Sequence, residues 1–296
     1  RRFKVSVDDD ANSFLGIQFH QSSNSTGYTE TAVCQIQYIE QILERFNMKN
    51  CDSRSTPAVL GDQNALIVTE KEPSVANVPF RELVGALLFL SRNTRPDISF
   101  AVNFISRFND CFQEKHWKAA KRILRYLQGS KQLCLTYHSQ EPDFFGYCDS
   151  DWAQDRSDRK STTGYVFFFA GAPISWATKK QQSVALSTCE AEYMAMSEAT
   201  KEAMYLRQLL QDINMLPQPA PTIIYCDNQA AIQLTKTESQ HNRAKHIDIR
   251  HHFVRDAIRR KIVTFKYVNS ENNTADILTK AIPTPQHQKL VKQLNL

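Results

Sequence analysis

The spacing of apolar residues changes character several times along the chain. "SFLGIQFH" (13–20) predicts a strand, and "QYIEQILERFNM" (37–48) predicts a helix, because Ile39, Ile42, Leu43 and Phe46 fall on one face. No period survives from 51 to 79, where Pro57, Gly61, Asp62, Pro73 and Pro79 predict an extended linker. From 80 to 129 the period is helical throughout. Leu83, Leu87 and Leu90 share a side, Pro96 suits a helix start, and Ala101, Val102, Ile105 and Phe108 repeat at helical spacing. The helix over "EKHWKAAKRILRYLQG" is two-faced, with Trp117, Ala120, Leu124 and Leu127 opposite Lys118, Arg122 and Arg125. The basic face reads equally as a solvated surface or as a phosphate track.

Beyond 141 the pattern shifts to strands at 144–149, 163–169 and 173–178, the last two separated by the hairpin-like "AGAP". A long helix over 188–212 follows, then the strand "TIIYCD", helical stretches near 229–236 and 243–260, the strand "IVTFKYV", and a helix starting near Thr274. The order β-β-β-α-β-α-α-β-α predicts an α/β domain: a mixed sheet with helices packed on it.

Composition adds limits. A chain of 296 residues exceeds one ordinary core, so two or more domains are expected. With 42% hydrophobic and 23% charged residues it reads as globular, and no apolar run approaches the ~20 residues of a membrane span. "RRFKVSVDDD" lacks the apolar core of a signal peptide and reads as the cut edge of a longer chain. A net charge of +5 fits a polyanionic partner without requiring one. The 7 cysteines, with no C-x-x-C, argue against a disulfide framework or a zinc site and for a reducing compartment.

The acids carry the candidate chemistry. Asp149 and Asp227 each end a strand, and each follows a cysteine. Side chains alternate along a strand, so Cys148 and Cys226 are expected to face away from the acids as small buried hydrophobes, which argues against a cysteine–aspartate metal cluster. Glu192 shares a stripe with Ala195, Met196, Ala199, Ala203, Leu206 and Leu210, so it is aimed at the sheet. An unpaired carboxylate there costs several kcal/mol, which a metal ion would relieve. Glu190 lies ~200° round the helix and forms an S-x-x-E capping box with Ser187. Asp276 follows the last strand in a first helical turn, where a local dipole role is equally available. Four oxygen donors suit Mg²⁺ or Mn²⁺ rather than zinc, and if they converge they could hold two ions about 3.5–4 Å apart. Among other candidates, Asp248 and His252 read as an ion pair, and "VDDDA" (7–11) as a solvated acidic loop.

Long segments of the chain resemble a known family. "GYCDSDWAQDRSDRKSTTGYVFFFAGAPISWATKKQQSVALSTCEAEYMAMSEATKEAMYLRQLL", "IIYCDNQAAIQL", "HNRAKHIDIRHHFVRDAI" and "ADILTKAIP" resemble the RNase H domain of Ty1/copia-type retrotransposon Pol polyproteins. "FLGIQF", "YIEQILERFNM", "FRELVGALLFLSRNTRPDISFAVNFISRF" and "HWKAAKRILRYLQGS" resemble the adjoining end of the reverse transcriptase.

The resemblance implies an RNase H-like domain at 141–296, preceded by the end of a polymerase palm at 1–58 and by a linker with a helical thumb or connection at 59–140. It implies that Asp149, Glu192, Asp227 and Asp276 bind two Mg²⁺ ions, with Mn²⁺ an alternative, and hydrolyse the RNA strand of an RNA–DNA hybrid. Thr188, Cys189 and Asn228 fall where related enzymes contact the minor groove. Lys118, Arg122 and Arg125, and Arg156, Arg159 and Lys160 beside the site, are candidate duplex contacts, and a solvated turn accounts for the last three equally well. Relatives carry a histidine before the last acid; here "VNSENNTAD" offers Ser270 and Glu271 instead. The implied partners are the hybrid and the rest of the Pol polyprotein, with no membrane. The implied location is cytoplasmic, in a virus-like particle, with the nucleus as a second compartment and no secretion. The family's polymerase acids lie upstream of "FLGI", so no polymerase activity is expected. One rival is a silent or domesticated remnant that binds nucleic acid or a protein. The other is an integrase, disfavoured because its acid lies on a late helix.

Overall fold

The structure is a computed structural model that describes residues 12–23, 29–67, 78–139, 143–216, 220–236 and 245–296, without the side chains of 62–63 and 245–249. The acidic loop at 7–11 and the side chain of Asp248 lie outside the described residues.

The first half joins a small sheet to a helical core. Strands β1 (Ser13–Phe14) and β2 (Ile17–Ser23) form a hairpin closed by Leu15 and Gly16 at φ +50° and +78°. That left-handed pair suits the twist of a two-residue turn, and glycine supplies half of it without strain. Strand β3 (Thr29–Cys34) pairs with β2, and β4 (Leu135–His138) pairs with β3, all antiparallel. The apolar pattern did not predict β3 or β4. "TETAVC" is largely polar and "LTYH" is four residues long, so register against neighbours makes them strands.

The helices are α1 (Ile36–Arg45), α2 (Asp62–Leu66), α3 (Phe80–Asn93), α4 (Ser99–Ser106) and α5 (Glu114–Gly129). A 3-10 turn, Pro96–Ile98, leads into α4 with proline in its first turn, where no backbone N–H is needed. Ile39 and Leu43 of α1 share one core with Leu87 of α3, Val102 of α4 and Leu124 of α5. Position 58 therefore lies between elements with a common interior. Beside this core is a buried charge pair. Arg95 donates twice to Asp97, at 2.9 and 2.6 Å, Tyr126 Oη donates to the same carboxylate at 2.6 Å, and Arg95 also reaches the Ser130 carbonyl at 3.0 Å.

The second half is built on β5 (Phe145–Asp151), β6 (Thr162–Phe169), β7 (Ala172–Lys180), β8 (Thr222–Cys226) and β9 (Val263–Tyr267). The sheet order is β7-β6-β5-β8-β9; the first three strands are antiparallel, and β8 and β9 run parallel to β5. Helix α6 (Thr188–Asp212), with α7 (Gln229–Lys236) and α8 (Lys245–Arg259), covers one face. On the other lie a 3-10 segment, Thr274–Leu278, and α9 (Thr284–Gln293). Both faces are buried, which explains why "YVFFF" is continuously apolar. The helix expected near Thr274 is broken in two. Pro283 ends any continuation, and Pro285 sits in the first turn of α9.

The halves dock at β7. Trp176 Nε1 donates to the Ser91 carbonyl at 2.7 Å, and Asn103 Nδ2 to the Thr178 carbonyl at 3.1 Å.

Candidate active site

Strand pairing brings the first two acids together. β5 and β8 are parallel neighbours in the register Tyr147↔Tyr225, so Asp149 and Asp227 stand two residues further along adjacent chains. Asp276 arrives from the opposite face on the 3-10 segment. Asn273 anchors this segment: its Oδ1 accepts from Ala275 N at 3.2 Å, and its Nδ2 donates to the Cys148 carbonyl at 3.1 Å. Gly164, paired with Asp149 on β6, lets the segment lie close. A Cβ at 164 would stand 2.7 Å from Thr279 Cγ2 and 2.9 Å from Leu278 Cβ. Carboxylate oxygens of Asp149, Asp227 and Asp276 lie within 4.8 Å of one another.

Glu192 enters from α6 on the buried stripe that the sequence predicts, with Ala195, Met196, Ala199 and Ala203 packed below it. Its Oε1 accepts from Ser150 N at 3.3 Å. Ser187 Oγ caps α6 by accepting from Glu190 N at 3.1 Å, while Glu190 returns to Leu186 N at 2.9 Å rather than to Ser187. Only the Ser187 half of the expected capping box forms, and the Glu190 carboxylate satisfies the neighbouring Leu186 N–H.

The cysteine reading needs correction. Cys226 does not turn away from the acids: its Sγ lies 3.9 Å from Glu192 Oε2, and Glu192, Cys226 and Asp227 offer ligand atoms within 4.8 Å of each other. Strand alternation separates Cys226 from Asp227, but it says nothing about a carboxylate descending from a helix above the sheet.

Four residues at the site were not singled out by the sequence as part of this group. Thr279 donates its hydroxyl to Asp149 Oδ2. Lys280 Nζ lies 3.0 Å from Asp276 Oδ1 and 3.8 Å from Asp149 Oδ2. Asp151 is buried two residues beyond Asp149, hence on the same strand face. Ser270 Oγ donates to Asp227 Oδ2 at 2.6 Å, so the serine in "VNSENN" touches an acid directly. The i, i+4 spacing of Asp276 and Lys280 and the i, i+2 spacing of the aspartates in "CDSD" were the available signals.

So many acids in one place shift their own titration. Burial and the Asp149 charge raise Asp276 to about 8 despite Lys280, and the same two causes raise Asp151 to about 7. Glu192 is pushed well up, chiefly by burial and then by Asp149, and Asp227 rises for the same reasons. Burial alone would lower Lys280, but Asp149 and Asp276 outweigh it and raise the ammonium. Three carboxylates gathered this closely offer the oxygen donors that a hard divalent cation takes.

The groove candidates fare unevenly. Thr188 is exposed at the start of α6 and Cys189 is half-buried against the core. Asn228 Oδ1 accepts from Ala231 N at 2.9 Å and so caps α7. Arg156 and Arg159 are exposed and Lys160 half-buried on the 152–161 loop. On α5, Arg125 donates to the Asp52 carbonyl at 2.8 Å, Arg122 to Thr56 Oγ1 at 3.0 Å, and Lys118 pairs with Glu114 at 2.7 Å. All three line a cavity of about 760 Å³ floored by Leu66, Phe100 and Phe104, and none of the four acids borders it. Two of these basic residues thus tie the 52–56 loop to α5.

A five-stranded mixed sheet of this order, with acids at adjacent strand ends, one helix glutamate and one acid on the segment behind, is an RNase H-like fold. No family model matches the chain. It is 41% identical over 264 residues to the retrovirus-related Pol polyprotein from transposon TNT 1-94 of Nicotiana tabacum, covering 88% of this chain and 20% of that protein. To the retrovirus-related Pol polyprotein from transposon RE1 of Arabidopsis thaliana it is 33% identical over 304 residues, 100% of this chain and 20% of that one. Among solved structures it is similar to LC11-RNase H1 isolated from compost (15% identity, TM-score 0.36, 47% of this chain and 93% of that chain). The chain belongs to the Pol polyproteins of copia-type retrotransposons, and it spans about a fifth of the length of each of these two relatives.

Proposed function

We propose that the second half of the chain is a ribonuclease H that cleaves the RNA strand of RNA–DNA hybrids by two-metal phosphodiester hydrolysis, giving 5′-phosphate and 3′-hydroxyl ends. The observation that carries this reading is the meeting of Asp149, Asp227 and Asp276 within 4.8 Å, with Glu192 joined to the group through Asp227. Such a gathering of like charge is costly unless cations compensate it. Bound Mg²⁺ or Mn²⁺ would supply Lewis acidity toward the attacking water and the leaving 3′-oxygen.

The chain's own residues have separate tasks in this scheme. Asp149, Asp227, Asp276 and Glu192 would hold the ions. Thr279 fixes the rotamer of Asp149, and Ser270 that of Asp227, through hydroxyl donation. Lys280 balances the acids until cations bind. The exposed Thr188 at the start of α6, and Arg156, Arg159 and Lys160 on the 152–161 loop, would contact the duplex. Hydroxyls of the RNA strand in the shallow groove would separate RNA from DNA. The first half would be the end of a polymerase palm (to 58) and a helical thumb or connection (to 140). The remaining Pol polyprotein would be its partner and a cytoplasmic particle its location.

The test is gel analysis of a labelled RNA–DNA hybrid with Mg²⁺, comparing the intact chain with Asp149→Asn. The expected result is internal cleavage of the RNA strand, lost in the variant. Persistent cleavage by Asp149→Asn would remove Asp149 from its role, and equal cleavage of single-stranded RNA would remove the hybrid specificity.

A further inference from the structure

We propose that Cys34 and Cys134 are a reversible disulfide pair, closed by a small-molecule disulfide oxidant, which fastens the sheet of the first half to the strand that the second half holds.

The strand register places the two residues. β3 and β4 are antiparallel with Val33↔Leu135 as their last pair, so one step further Cys34 faces Cys134. The class of that position follows from Thr136. Its N–H donates to the Asn295 carbonyl at 3.2 Å and its carbonyl accepts from Asn295 Nδ2 at 2.6 Å, so both backbone groups point away from β3. Ala32↔Thr136 is therefore a non-hydrogen-bonded pair, and the alternation returns to that class two residues on, at Cys34↔Cys134. Such pairs bring Cα atoms to about 4.5 Å, with the side chains at their closest. A disulfide spans Cα separations of about 4.4–6.8 Å, so the bond needs no movement of the strands. The titration of Cys134 agrees with this placement: burial and then the Cys34 thiol push it up to about 12.

Access sets the order of events. Both residues are free thiols, Cys34 fully buried and Cys134 half-buried. Cys134 Sγ donates to the Gln132 carbonyl at 3.4 Å, a weak bond that is readily given up. An oxidant disulfide therefore meets Cys134 first. The Cys134 thiolate attacks one sulfur of the oxidant and expels a first thiol; Cys34 then attacks the Cys134 sulfur and expels the second. One S–S bond breaks and one forms. The protein loses two electrons and two protons, and the oxidant leaves as two thiols. Cys148 and Cys226 also lie on neighbouring strands, but both are fully buried, so neither offers the first sulfur.

The position gives the bond a mechanical consequence. Tyr137 Oη donates to the Pro173 carbonyl at 2.6 Å, and His138 N to the Ala170 carbonyl at 2.8 Å. The β6–β7 hairpin thus holds β4 along the edge that β3 leaves free. A Cys34–Cys134 bridge makes the link from β3 to that strand covalent and closes a loop that contains α1 to α5.

The test equilibrates the full chain with oxidised glutathione, alkylates the remaining thiols under denaturing conditions, and identifies the digested peptides by mass spectrometry. The expected result is loss of two of the 7 thiols and one cross-linked peptide pair joining Cys34 to Cys134. The melting temperature should rise by about 5 °C or more, reversibly with dithiothreitol. Cys134→Ser replaces the half-buried partner and leaves Cys34 in place; it should show neither cross-link nor shift. The cross-link is read on the unsubstituted chain, so the result does not depend on the folding of a variant or on hybrid cleavage. Retention of all the thiols, a cross-link between other cysteines, a lasting mixed disulfide on Cys134, or a shift that survives Cys134→Ser would overturn the proposal.

Discussion

Lys280 Nζ sits 3.0 Å from Asp276 Oδ1, one helical turn away in sequence, and reaches on to Asp149 at 3.8 Å. The lysine is an internal counter-ion to two of the carboxylates that would hold a divalent ion. Lys280→Met should lower metal-free stability by about 2 kcal/mol. It should also tighten Mn²⁺ binding, since no ammonium then competes for the carboxylates. Thermal melts and calorimetric titration check both signs; an unchanged Mn²⁺ affinity would mean that lysine and ion do not share oxygens.

Metal-free stability should depend on pH in the direction opposite to that of most carboxylate-bearing proteins. Asp276 and Asp151 have native values near 8 and 7, above the ordinary 3.8. An acid that holds its proton more tightly when folded stabilises the native state at low pH, and that stabilisation disappears as pH rises through the native value. The melting temperature without divalent ions should fall between about pH 5 and 8.5. Added Mg²⁺ should restore most of the loss at the alkaline end and little at the acidic end. A flat profile would contradict the crowding of these acids.

Gly164→Ala tests the close approach that places Asp276. The added Cβ meets Thr279, Leu278 and the Ala275 carbonyl at 2.7, 2.9 and 3.1 Å, so the 275–279 segment must move outward. Overpacking of this kind costs about 1–3 kcal/mol, and misplacing a catalytic group by 1 Å can cost about a hundredfold in rate. Hybrid cleavage should therefore drop far more than the melting temperature implies.

Asp97→Ala should be more damaging to the fold than any of these changes. It leaves the buried Arg95 guanidinium and the Tyr126 hydroxyl without their shared acceptor. Stranding a buried charge costs about 3–5 kcal/mol, readable as a lower urea midpoint. Replacing Arg95 and Asp97 together by Leu and Asn should recover part of it.

Much of this could be read in the chain before the structure. The second half announced its elements because its strands and helices are long and buried, so their periods are undiluted, and Glu192 betrayed itself as the lone charge on an alanine stripe. What stayed hidden was cross-chain. β3 and β4 are strands by pairing, the Cys226–Glu192 contact joins a strand to a helix 34 residues away, and the partners of Arg122 and Arg125 lie on a loop with no period. Periodicity reports which face of one element is apolar; it carries no information about which polar atoms a neighbouring element delivers.

The bond from Trp176 to the Ser91 carbonyl has a practical corollary. In the full chain the flank of the sheet is shielded by α3 and α4. A shorter version starting at residue 143 would expose that indole and an unsatisfied ribbon of β7 to water. Such a version would be prone to self-association, and low yield from it would reflect a stripped flank rather than a defective catalytic pocket.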